Sequence, residues 1–277
     1  MRLSMIVTGV LCAAVLVFSV PTVDAANKVD VFIYTDTTQW IDQGSAKKEA
    51  EILAEEIKGK NGIGEVLLHG PAKEVEAWTE KHAVDNGHHI IVMFGDVPVE
   101  IYDVGKDKKK ETLAEEFLDA GNTFSNSADY FFWGVGGRNE ANGLQNMMDI
   151  PDIVQWDDNT AMKVTAEGKD LTPTLKDYAT DRPFHLDQLD GDWVLEVAFA
   201  TETGKGKGAA RCDPCIVHNT KTNGRLIQVY QTAGQADPKG LVISEIILNY
   251  YVEAVGALDV DPQDKLPAVW GDIKTRR

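Results

Sequence analysis

Basic residues are scarce in this chain: 27 Lys and Arg stand against 44 Asp and Glu, for a formal net charge of −17. A surface this acidic repels phosphate backbones and anionic lipid, which excludes nucleic acid as a partner. Cysteine is scarcer still. Of three in 277 residues, Cys12 lies near the start, leaving Cys212 and Cys215 for the folded part, too few for a disulfide-built scaffold. No stretch rich in Pro, Ser or Gly divides the chain and no repeat recurs, so residues 26–256 read as one domain long enough to bury a substantial core. Beyond residue 20, no apolar run approaches the roughly 20 residues that a membrane-spanning helix needs. Several catalytic signatures are missing as well. There is no Gly-x-Ser-x-Gly elbow and no His-Glu-x-x-His helix. In the run Gly134-Val135-Gly136-Gly137-Arg138-Asn139, Asn139 stands where a dinucleotide loop wants its third glycine, and no P-loop lysine follows. The acidic stretch at 187–196 fails as a calcium loop, because aligning Gly191 with the EF-hand glycine puts Leu186 and Val197 at the first and last ligand positions.

What is present begins with an address. Arg2, an apolar stretch over residues 5–20, Pro21 and the Val23-Asp24-Ala25 sequence have the layout of a cleavable signal peptide, residues 1–25, with the mature chain starting at Ala26. An uncleaved anchor would need a longer run, and Pro21 ends this one. Leu11 before Cys12 does not suit a lipoprotein cleavage point. The expectation is a secreted or periplasmic protein with no membrane insertion after cleavage. In an oxidising compartment Cys212 and Cys215, in Arg-Cys-Asp-Pro-Cys, read as a local disulfide. A redox pair would normally open a helix, whereas the strand-like Ile216-Val217 follows. A zinc site needs two more ligands, and only His218 is near.

From residue 29 onward strand-like and helix-like segments alternate, the pattern of a parallel sheet covered by helices on both faces. Strands are expected at 29–35, 65–69, 89–94 and from about residue 123, with helices at 46–58, from Pro71 to about residue 83, and at 111–120. Residues 133–183 are broken by glycines and read as a long excursion with one strand near 162–166. Strands at 193–200, 216–218 and 225–232 follow, the last two facing each other across Asn223-Gly224 as a hairpin. An amphipathic helix over 241–255 closes the domain, and residues 257–277, with Trp270, form a tail.

In an open parallel sheet the ligand crevice lies beyond the carboxyl ends of the strands. Polar residues fall there repeatedly: Asp36 after the first strand, His69 after the second, Asp96 after the third, and Asn126, Ser127 and Asp129 at the fourth. Singly, each is an ordinary cap or turn residue. Gathered on one rim, the acids and His69 can do acid/base chemistry or hold a divalent metal, the one cofactor these side chains suit. His82, His88 and His89 flank a helix end and a strand start on the opposite side and read as structural or exposed.

Three segments carry a resemblance to a known family. Residues 117–129 look like its glycine-led strand and turn, where a His-Ser-Ala type sequence is usual. Residues 163–175 resemble the segment before its acidic-aromatic motif, with Phe184-His185-Leu186-Asp187 in that motif's place. Residues 214–234, from Pro214 through His218 and Gly224-Arg225 to Gly234, are similar to its closing hairpin. On these the chain resembles the ThuA-like, trehalose-utilisation type proteins of the class I glutamine-amidotransferase-like group. The resemblance implies a flavodoxin-like three-layer α/β fold with a mostly parallel central sheet and a C-terminal hairpin. It also implies a small-molecule or carbohydrate ligand; taken with the polar strand ends, the catalytic candidates are Asp129, Ser127, Asp96 and Asp36, and the ligand-binding ones are His69, Asn126, His185 and His218. The chain departs from the family where glutamine chemistry resides. Ser127 stands at the turn that carries the nucleophilic cysteine, Asn126 replaces a histidine, and Gln235 rather than histidine follows Gly234. Glutamine hydrolysis is therefore not expected, and a non-catalytic cell-surface binding or assembly module is the alternative.

Overall fold

The computed structural model describes residues 28–105, 111–157, 159–232 and 234–256. The signal segment at 1–25 and the tail with Trp270 lie outside the described residues. The strands are β1 (Val29–Tyr34), β2 (Ile63–Leu68), β3 (Ile90–Phe94), β4 (Thr123–Ser127), β5 (Thr160–Val164), β6 (Tyr178–Thr180), β7 (Phe184–His185), β8 (Trp193–Ala198), β9 (Ala200–Thr201), β10 (Arg211–Cys212), β11 (Cys215–Asn219) and β12 (Arg225–Val229). The helices are α1 (Gln43–Ile57), α2 (Ala72–His82), α3 (Leu113–Asp119), α4 (Ala141–Met148), α5 (Ala166–Leu171), α6 (Lys239–Ile246) and α7 (Val252–Gly256), with a π-helical turn over Ile247–Tyr251 joining the last two.

Strands as apolar as β3, and as β1 beyond Asp30, need cover on both faces. Their period of two divides them between two cores. Val31, Ile33, Ile90, Val92 and Phe94 enter the first, which α1 and α6 complete with Ala50, Leu53, Val242 and Ile246. Phe32, Tyr34, Ile91 and Met93 enter the second, beside Val75 and Trp78 of α2, Phe117 of α3 and Leu144 of α4. The helix α1 starts where Asp42 accepts hydrogen bonds from the Ser45 backbone N–H at 2.9 Å and hydroxyl at 2.6 Å, an ordinary N-cap. It lies so close to α6 that a Cβ on Gly240 would come within 2.2 Å of the Glu49 carbonyl oxygen. The buried Glu49 carboxylate in turn accepts the Gly240 N–H at 2.8 Å, occupying an unpaired donor at the start of α6.

The result is a mixed α/β domain with two sheets. The larger has the order β2-β1-β3-β4-β12-β11-β8. β2, β1, β3, β4 and β12 run parallel, and β11 is antiparallel to both β12 and β8. The smaller, β6-β5-β9-β10-β7, is antiparallel throughout; β5 and β6 come from the 133–183 region expected to hold one strand, and β7, β9 and β10 from the segments that follow it. The single-sheet expectation is corrected here: β7, β9 and β10 have two residues each, too few to leave any periodicity. The same region also holds α4 and α5. The expected hairpin forms between β11 and β12, but its turn is longer than the Asn-Gly dipeptide suggests. Asn219 N–H donates to the Gly224 carbonyl and Asn223 N–H to the Asn219 carbonyl, leaving residues 220–223 as the loop. Among the described residues no helix is long and apolar enough to cross a membrane.

Candidate functional site

Register sets the rim. Phe94, Ser127 and Val229 lie side by side at the carboxyl ends of β3, β4 and β12. The residues that follow therefore share one end of the sheet. The chain reverses sharply there: His69, Ala128 and Tyr230 have φ of 60°, 70° and 50°, values that non-glycine residues adopt rarely.

Because β3 and β4 are neighbours, Asp96 and Asp129 come together, and both are fully buried. Asp96 Oδ1 accepts the backbone N–H groups of Val97 at 2.8 Å and Gly134 at 2.9 Å. Asp129 Oδ1 accepts that of Tyr130 at 2.8 Å. The second oxygen of each carboxyl has no hydrogen-bond partner among the described residues. Burial raises both pKa values. It takes Asp96 to about 6 against the pull of the Gly134 and Val97 N–H groups. Burial and then the charge of Asp96 take Asp129 to about 7, opposed by the Tyr130 N–H and Arg182. Between about pH 6 and about pH 7 the pair holds close to one proton, with Asp129 its stronger claimant.

Arg182 is close enough to Asp129 for its charge to lower that pKa. Its guanidinium carbon stands 4.5 Å from the centroid of the Tyr130 ring and 5.2 Å from that of Trp40, and its Nε has no partner among the described residues. Tyr130 stacks on Trp133 at 4.7 Å, and Trp156 meets both rings edge-on. Trp40 and Trp156 are 46% and 50% exposed, unusual for indoles, so an aromatic surface opens to solvent around Tyr130, the residue that follows the buried Asp129. Below Arg182, Gln231 links the ends of β4 and β12. Its Nε2 donates to the Asn126 carbonyl at 2.9 Å, and its backbone N–H donates to the Asp213 carboxylate at 2.8 Å. Asp213 also accepts the Thr180 hydroxyl at 2.5 Å, and burial raises its pKa to about 6.

The other expected residues disperse. Ser127 is buried at the end of β4, its hydroxyl without a partner among the described residues, so no base activates it. The strained turn position belongs to Ala128, whose methyl has no chemistry. Asn126 stays near the site, its Nδ2 donating to the Tyr130 carbonyl at 3.4 Å. Asp36 is exposed just after β1. His69 ends the edge strand β2, with β1 and β3 between it and β4, and bonds to Thr35 Oγ1 at 2.9 Å. His185 is buried in the smaller sheet, 3.6 Å from Asp157, its pKa lowered by burial and then by Arg211. His218 lies at the hairpin end of β11, the opposite end of the sheet, 3.4 Å from Asn223.

The expected disulfide is corrected: Cys212 and Cys215 are free, buried thiols. The chain passes from the smaller sheet to the larger between them, Cys212 pairing with Phe184 and Thr201, and Cys215 with Gln228 and Ala198. Each thiol donates to a backbone carbonyl instead: Cys212 to Ala200 at 3.1 Å, and Cys215 to Cys212 at 3.7 Å. Burial holds the Cys212 pKa well above its ordinary value, so this group is an inert thiol.

Arg182, Tyr130, Trp40, Trp133, Trp156 and Gln231 were not legible as site residues. The indoles are scattered over a hundred positions of chain, and Arg182 sits in the glycine-broken region. Its one local mark is the following Pro183. The rim acids do not form a metal-ligand group. Among the described residues the one set of three or more side chains with ligand atoms within 4.8 Å of one another is Asp30, His82 and His89, at the other end of the sheet. No protein-family model matches the chain, and no curated protein matches it either.

Proposed function

We propose that this is an exported ThuA-like enzyme that binds a carbohydrate or small polar metabolite at the aromatic mouth and acts on it by proton transfer, with Asp129 as acid and Asp96 as base. The observation that carries the reading is the buried Asp96–Asp129 pair beside Arg182, whose guanidinium sits between Tyr130 and the exposed Trp40. Two neighbouring carboxyls with pKa values of about 6 and about 7 leave Asp129 partly protonated and Asp96 mostly ionised near neutral pH, as acid/base catalysis requires. Flat indole faces beside a cationic donor suit the apolar faces and hydroxyls of a sugar. The seven-stranded sheet supports reading the domain as a variant of the flavodoxin-like fold, with the smaller sheet as an addition. Glutamine hydrolysis has no support, since the turn carries Ala128 and no activated nucleophile.

A second reading, a non-catalytic binding module, draws on one observation: both acids are fully enclosed. Ligand entry would need Trp40 and Arg182 to move, and a module would need only the aromatic surface. Thermal stability and tryptophan fluorescence, measured across a panel of mono- and disaccharides, separate the possibilities. The enzyme reading expects ligand-dependent shifts that Trp40→Ala weakens, and turnover that Asp129→Asn abolishes. Shifts without turnover favour the module. Identical melting in every sugar overturns both readings.

A further inference from the structure

At the amino ends of the central strands, far from the rim, two imidazoles are packed together where burial would ordinarily exclude them. His82 ends α2 and His89 precedes β3; they are 1% and 7% exposed, with ring centroids 3.9 Å apart. Asp85, in the turn between them, accepts from both rings through Oδ2, at 2.5 Å from His82 Nδ1 and 3.2 Å from His89 Nε2. Those two nitrogens therefore carry the hydrogens, and His82 Nε2 and His89 Nδ1 carry lone pairs. The Asp30 backbone N–H donates to His89 Nδ1 at 3.0 Å, in agreement with that tautomer. His82 Nε2 is buried with no hydrogen-bond partner among the described residues, an expensive state for a polar atom.

Both nitrogens lie near one carboxylate oxygen. Asp30 Oδ1 accepts the Glu65 N–H at 2.7 Å, which leaves Oδ2 standing 3.8 Å from His82 Nε2 and 4.0 Å from His89 Nδ1. These gaps are too long for hydrogen bonds. They are a few tenths of an ångström wider than the roughly 3.3–3.4 Å between donor atoms around a tetrahedral ion with bonds of about 2.0–2.1 Å. We infer that Asp30 Oδ2, His82 Nε2 and His89 Nδ1 form a site for a divalent transition-metal ion of the zinc type. Two neutral imidazoles and one carboxylate suit Zn²⁺ or Co²⁺ rather than Mg²⁺ or Ca²⁺, which prefer oxygen ligands. Asp85 supplies the outer carboxylate that orients metal-bound imidazoles, accepting the far N–H of each. On binding, the ion replaces the Asp30 N–H at His89 Nδ1. Asp30 lies where the β1–β2 register shifts between Val29 and Val31, so its N–H is free of that ladder. Asp30 is the partly exposed member of the three, its side chain 22% exposed, so a water reaching it from solvent would be the fourth ligand. The bound ion would tie the end of α2 and the turn after it to β1 and β3.

Titration of the full, tag-free chain with Co²⁺, followed by displacement with Zn²⁺, tests the site. The expected result is one Co²⁺ per chain with visible d–d bands, quenching of the fluorescence of Trp78, whose ring lies 4.2 Å from that of His82, and a melting temperature that EDTA lowers. Asp30→Asn keeps the oxygen that caps Glu65 and should abolish the bands in a folded protein. His82→Gln should do the same, Asp85→Asn should weaken binding by roughly 10–100-fold, and Asp129→Asn should bind as the parent chain does. Absence of saturable bands in the parent chain overturns the inference. So does retention of the bands in folded Asp30→Asn and His82→Gln, or their loss in Asp129→Asn, which would put the ion at the rim.

Discussion

Replacing Asp129 by asparagine removes the most perturbed carboxyl of the rim without changing its shape. In the parent chain burial and Asp96 raise the Asp129 pKa from an ordinary 3.8 to about 7. The folded state thus holds a proton that the unfolded chain releases above about pH 4, so stability falls as pH rises through this window. The penalty is absent below the unfolded pKa and complete just above the folded one. A shift of about three units corresponds to about 4 kcal/mol in full, of which about 2–3 kcal/mol develops between about pH 5 and about pH 8. The substituted side chain can still accept the Tyr130 N–H through its oxygen. Urea denaturation of both proteins at the two pH values measures the effect. The variant's advantage should grow by about 2–3 kcal/mol from the lower pH to the higher. An advantage that stays constant would mean that Asp129 ionises normally, and with that the acid/base role would lose its physical basis.

Three other outcomes are expected. Ser127→Ala should be neutral or stabilising by up to about 1 kcal/mol, because the hydroxyl it deletes is buried without a partner; a large loss of stability would show a bond to a group outside the described residues. Gly240→Ala should cost about 1–3 kcal/mol in denaturant unfolding, since its Cβ meets backbone rather than a mobile side chain, and an unchanged midpoint would contradict the close α1–α6 approach. Cys212 and Cys215 should resist alkylation in the native protein and both react after denaturation without reductant; no reaction after denaturation would restore the disulfide.

The central sheet was legible because its strands are long enough to show a pattern. The apolar runs of β1 and β3, the helical spacing of Ala46, Ala50, Leu53 and Ile57, and the hairpin near Asn223 are local properties, decided by side-chain period and turn chemistry. The sequence also placed Asp96 and Asp129 at strand ends, which chain order alone reveals. That these two are neighbours, while His69 lies at the sheet edge and His218 at the far end, followed only from the strand order. Register and adjacency are set by contacts distant in sequence. The smaller sheet was hidden for a related reason: its strands are two to five residues long and exist only because other short strands lie beside them. Tertiary packing likewise set Arg182 between Trp40 and Tyr130, and turned His82 and His89 from a helix end and a strand start into one buried pair against Asp30. Local sequence determined which segments fold as strands and helices; only the assembled sheet decided which polar side chains share a low-dielectric space, and there their chemistry changes.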